Sequence, residues 1–149
     1  MITFHGGRMA PDGLCALLYQ TIPKEFHVPI VFVNRSPEGD QSSLGICSDT
    51  RVTICLNRIF SETCQHPIGS LAFSLWYETL RVCYHEFGHV ATRQDWQHIS
   101  QRAYDALHRE YFYIERLADE WAERKLLELR DHELRLVQPR SCVATSARA

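Results

Sequence analysis

The chain has 149 residues, 45% hydrophobic and 23% charged, with a formal net charge of −2. That length suits one domain with a proper core, and the composition is that of an ordinary soluble globular protein. The small net charge leaves no electrostatic footprint for nucleic acid or an anionic membrane, and no apolar run approaches a membrane span.

The first residues, MITFHGGRMAPDGLCALLYQ, lack a basic region followed by an apolar one, so no signal peptide is expected. Residues 1–10 read as a loose lead-in broken by Gly6 and Gly7. Asp12 can cap a short helix, Gly13 to Gln20, with Leu14, Leu17 and Leu18 on one side; Pro23 stops it. Phe26 to Val33 is aromatic and β-branched and reads as a strand, in which Pro29 argues for an edge or a bulge. Asn34 to Ser43 is made of turn residues. Leu44 to Cys47 reads as a short strand, and Ser48-Asp49 as a turn. Thr50 to Asn57 alternates, with Val52, Ile54 and Leu56 on one face and Arg51, Thr53 and Cys55 on the other. Ile59 to His66 reads as a connector that can hold a helical turn.

Ser70, after Pro67-Ile68-Gly69, is an N-cap candidate for a helix that ends near Thr92. Leu71, Phe73, Leu75, Trp76, Leu80, Val82 and Phe87 cover most of its circumference, the pattern of a central, buried helix. A polar segment follows from Arg93 to Arg102. A long amphipathic helix then starts before Leu107 and runs to about Leu136. Its apolar arc holds Tyr111, Ile114, Leu117, Ala118, Trp121, Ala122, Leu126 and Leu129, and its solvated face Arg116, Glu120, Glu123 and Arg124. The predicted fold is α+β: a small, three-stranded, mostly antiparallel sheet packed on the two long helices. Residues 1–138 form a single compact domain in this reading, and 139–149 a disordered tail.

The six cysteines form no C-x-x-C, which argues against a zinc ribbon or a thioredoxin-like motif. Without an export signal they read as reduced thiols of a cytoplasmic protein, mostly small core hydrophobes.

The chemistry lies in His85-Glu86-Phe87-Gly88-His89, an H-E-x-x-H. On a helix, residues four apart share a face, so His85 and His89 can reach one metal. Glu86 flanks that site and can polarise a water without being a ligand. Two neutral imidazoles and a carboxylate suit Zn²⁺ with a position left open. Gly88 costs about 1 kcal/mol relative to alanine inside a helix, so a close approach by another backbone or a substrate is expected there. Glu115 and Asp119 share one face of the second helix, at the border of its apolar arc. Carboxylates in such a place are often only rim residues. Their spacing downstream of H-E-x-x-H makes Glu115 the first candidate for third ligand, with Asp95, His98 and His108 as rivals.

H-E-F-G-H followed by E-R-L-A-D-E-W-A resembles the gluzincin metallopeptidases, and more narrowly the ImmA/IrrE family and the stand-alone minigluzincins, over residues of about 26 to 127. The resemblance implies a cytoplasmic zinc metallo-endopeptidase. His85, His89 and Glu115 would be its zinc ligands, Glu86 its general base and Asp119 the carboxylate that orients a ligand histidine. The family's second acidic position is Leu117 here, on another part of the wheel. The substrate would be a peptide or protein, such as a regulatory repressor, lying extended along an edge strand supplied by Thr50 to Asn57. His108 and Tyr111 share the face of Glu115 and are preferred over His98 and Tyr104 as donors to the oxyanion. The alternative is a metal-containing regulatory or binding protein that acts on a partner without proteolysis. Nothing reads as a helix-turn-helix, so any DNA role would run through that partner.

Overall fold

The computed structural model describes residues 2–4, 11, 13–24, 26, 28–34, 43–48, 50–93 and 108–137. In chain order they form β1 (Ile2–Phe4), α1 (Leu14–Thr21), β2 (Ile30–Val33), β3 (Gly45–Cys47), β4 (Val52–Cys55), α2 (Leu56–Gln65), α3 (Leu71–Ala91) and α4 (His108–Val137). No helix among the described residues is long and apolar enough to cross a membrane. Most of the loop expected from Asn34 to Ser43, Asp12 and the tail expected over 139–149 lie outside the described residues; the residue at the N-cap of α1 is Gly13, not Asp12.

The fold is α+β, but its sheet differs from the one expected. The three expected strands are present as β2, β3 and β4. β1 joins them from what reads as a loose lead-in, and the order is β1-β2-β4-β3. β1 runs parallel to β2, with Ile2 opposite Ile30 and Phe4 opposite Phe32. β2 runs parallel to β4, with Ile30 opposite Val52 and Val33 opposite Cys55. Only β3 is antiparallel, with Gly45 opposite Ile54 and Cys47 opposite Val52. Parallel neighbours need a dozen or more residues of crossover. The chain supplies them between Phe4 and Ile30, where α1 lies, and between Val33 and Val52.

This topology corrects two strand assignments. β2 is an interior strand, and Pro29 stands just before it; there its carbonyl accepts the Val52 N–H at 2.9 Å and its missing donor leaves no gap in the ladder. β4 is interior too, between β2 and β3, so Thr50 to Asn57 does not supply an edge. All four residues of β4 are buried, the nominally polar Thr53 and Cys55 included.

The expected connector is also corrected. β4 passes directly into α2, a ten-residue helix. Leu56, Ile59 and Thr63 make its buried stripe at helical spacing, and by taking up Leu56 and Asn57 the helix shortens the strand before it.

One core cluster joins Leu14 and Leu18 of α1, Ile30 and Phe32 of β2, Val52 and Ile54 of β4, Leu56 and Ile59 of α2, and Leu80, Cys83, Tyr84 and Phe87 of α3. Trp121 and Ala122 bring α4 into it. Phe26 stacks on Phe87 with ring centroids 6.5 Å apart, and Tyr84 meets Trp121 edge-on at 6.1 Å. Tyr84 is fully buried, and its hydroxyl donates to Thr21 Oγ1 at 2.7 Å. Five described cysteines are free; Cys55 and Cys83 lie in the core as expected, whereas Cys15 and Cys47 are half-buried and Cys64 is exposed.

Ser70 caps α3, its hydroxyl accepting the Phe73 N–H at 3.2 Å. The Ser74 hydroxyl pins the preceding chain by bonding both the N–H and the carbonyl of Ile68 at 2.7 Å. At the other end Thr92 turns its backbone N–H and its hydroxyl onto the Gly88 carbonyl, at 2.9 and 2.8 Å. Burial is not all round as the apolar pattern implies. Leu71 and Phe73 in the first turn are exposed, and Phe73 stacks on Tyr77 instead. From Thr79 to Gly88 the helix is central: only Arg81 and His85 in that stretch are not fully buried.

Candidate metal centre

His85 and His89 stand one turn apart on α3, with ring centroids 4.8 Å apart and planes perpendicular. α4 crosses in front of them. Glu115 Oε2 lies 3.2 Å from His85 Nε2, and its Oε1 lies 3.6 Å from His89 Nε2. One ligand atom from each of the three residues lies within 4.8 Å of the others. Asp119, one turn further along α4, holds His85 Nδ1 at 2.7 Å. The structure therefore brings together His85, Glu86, His89, Glu115 and Asp119. Asp95, His98 and Tyr104, and the side chains of His108 and Tyr111, lie outside the described residues.

The glycine in the motif explains how α4 comes so near. A Cβ on Gly88 would stand 2.6 Å from the Ala118 carbonyl oxygen and 2.8 Å from its Cα. Only a bare backbone lets α4 close on α3 here, and the same approach carries Glu115 and Asp119 to the histidines. The close approach expected at Gly88 is thus met by a backbone. Leu117 is half-buried and takes no part in the cluster.

The hydrogen bonding sets the tautomer of His85. A carboxylate only accepts, so Asp119 requires the proton on Nδ1 and leaves the Nε2 lone pair facing Glu115. A lone pair 3.2 Å from a carboxylate oxygen is unfavourable unless a cation lies between them. A proton or a metal ion can take that place. Burial works against a charged His85, but the hydrogen bonds of Glu115 and Asp119 outweigh it and raise its pKa. His89 goes the other way: burial outweighs the pull of Glu115 and lowers its pKa, which favours the neutral imidazole. Two imidazole nitrogens and one carboxylate, converging from two helices, are the donor set of a borderline divalent metal such as zinc.

Glu86 is 6% exposed and lies beside this set without joining it. Burial pushes its carboxyl up to about 7; the nearby His85 opposes that shift and Glu115 adds to it.

Gly45 of β3 roofs the carboxylate. A Cβ there would lie 2.6 Å from Glu86 Oε1, 2.7 Å from Cγ and 2.9 Å from Cδ. Reading the sequence did not single out Gly45, although a glycine inside a strand is a sign of such an approach. β3 is an edge, pairing with β4 alone among the described residues. Leu44 and Ser48 bond inward, through Cys55 N–H to Leu44 O and Ser48 N–H to Arg51 O, both at 2.9 Å. Antiparallel alternation then turns the N–H and C=O of Gly45 and Cys47 away from β4. The Cys47 thiol, on the face of β3 that Gly45 turns to Glu86, is pushed up to about 11 by burial and then by Glu86, with Arg93 opposing.

No family model, curated protein or solved structure matches the chain.

Proposed function

We propose that the protein is a zinc-dependent metallo-endopeptidase of gluzincin type, with His85, His89 and Glu115 as metal ligands. The observation that carries the reading is the convergence of both Nε2 atoms on the two oxygens of Glu115, with the buried Glu86 carboxylate at its side. Zinc held there would supply a Lewis acid and bring the pKa of a water toward neutrality. Asp119 keeps His85 in the tautomer that offers Nε2. Glu86, with a carboxyl near pH 7, takes the proton of the attacking water and delivers it to the leaving amine.

The substrate in this reading is a protein segment bound in extended form. The strand that takes it is β3 rather than Thr50 to Asn57, because the outward N–H and C=O groups of Gly45 and Cys47 offer strand addition beside Glu86.

Elemental analysis of protein purified without added metal tests the site. One zinc per chain, lost or sharply weakened in Glu115→Ala, supports it; zinc retained in that variant assigns the third ligand elsewhere. Glu86→Gln then tests the chemistry. A peptidase keeps its metal and loses cleavage, whereas unchanged biological activity in that variant leaves a metal-containing binding protein.

A further inference from the structure

Gly45 has no conformational reason to be glycine. It lies in extended strand backbone, outside the left-handed region occupied by Gly13 and Gly69. Glycine weakens a strand interior, so its presence calls for another cause. The cause on view is space. The positions a Cβ would contest include Cγ and Cδ of Glu86 as well as Oε1, all within 2.9 Å. Turning only the tip of the carboxylate would not clear such a contact. The whole side chain would have to leave its rotamer, inside a helix segment buried on every side but that of Arg81 and His85.

We propose that Gly45 is a positioning residue for Glu86: its missing side chain seats the carboxylate directly against the edge strand and holds it beside the His85–His89–Glu115 cluster. The role rests on the peptidase reading in assigning Glu86 as the base. The physical contact does not, and it can be tested apart from activity. β3 thereby performs two tasks. Its outward backbone at Gly45 pairs with no strand among the described residues and can take an extended partner, and its inward face at the same residue fixes the base, so the two are held in one register.

The test is a melting cycle over Gly45→Ala, Glu86→Ala and the double variant, all in chelator, with zinc content measured separately. In the Glu86 background, Gly45→Ala should lower the melting midpoint by about 5 °C. In the Glu86→Ala background the same change should be neutral or stabilising, because the space is vacated and alanine suits a strand better than glycine. Equal effects in both backgrounds would overturn the proposal. A single variant that fails to fold while the double folds supports it; failure of both overturns it. Gly45→Ala should keep the zinc of the wild type, since the three atoms nearest an added Cβ all belong to Glu86, which is not a ligand. On any peptide the wild type cleaves, its kcat should fall roughly ten- to a hundredfold with KM little changed; a change in KM alone would also overturn it. A wild type with neither zinc nor cleavage would defeat the peptidase reading, and the melting cycle would still decide whether Gly45 seats Glu86.

Discussion

Gly88 lies against Ala118 so closely that a Cβ would stand 2.6 Å from the Ala118 carbonyl oxygen. Ala118 sits between Glu115 and Asp119 on α4, so the position of both carboxylates depends on this contact between backbones. Gly88→Ala should therefore push α4 off α3. We expect a loss of about 2 kcal/mol in urea unfolding, the scale of an overpacked core, together with weaker zinc binding in a competition titration. Zinc affinity that survives the destabilisation would separate the helix contact from the metal centre.

Asp119 meets His85 Nδ1 at 2.7 Å, and its own side chain is largely exposed. Asp119→Ala should barely change the melting of the metal-free protein. Zinc affinity should fall roughly ten- to a hundredfold, as for other carboxylates that orient a ligand imidazole. An unchanged affinity would leave the 2.7 Å bond to His85 as a surface contact alone.

Glu86 gives the metal-free protein a pH dependence of definite sign. Its folded carboxyl titrates near 7 against an ordinary 4.5, so folding favours the protonated form. The stability it supports is complete below pH 4.5 and is lost as the pH rises through 7. The loss amounts to roughly 3 kcal/mol at most. In chelator, Glu86→Gln should melt like the wild type at pH 4 and above it at pH 8. Parallel melting curves at both pH values would show that the carboxyl titrates normally.

Tyr84 separates the core from the site. Its hydroxyl, on a fully buried residue next to the H-E-x-x-H motif, bonds Thr21 of α1 rather than any member of the cluster. Tyr84→Phe should lower stability by about 1 kcal/mol in denaturant unfolding. Its zinc content should stay that of the wild type, and a loss of zinc would extend the site into the core.

Much of the architecture was legible because local signals agreed with the final packing. Ser70 reads as a cap and is one; Thr92 reads as the helix end and closes it. On α4, Ile114, Ala118, Trp121 and Ala122 read as the apolar arc and are buried, while Arg116, Glu120, Glu123 and Arg124 are exposed. α2 was missed because Leu56 fits both the period-two pattern of the strand and the helical stripe of Ile59 and Thr63, and burial against α3 decides between them. β1 was missed because it is three residues long and is set by its pairing with β2.

The sequence by itself determined which residues could meet. A helix turn puts His85 beside His89 and Glu115 above Asp119, since i and i+4 share a face whatever the rest of the chain does. Strand direction, the choice of β3 rather than β4 as the edge and the crossing of α4 over α3 belong to the tertiary structure alone. So does the seat of Glu86 under Gly45. These depend on contacts between residues far apart in the chain, at distances where one methyl group decides what fits, and no local periodicity encodes such a distance.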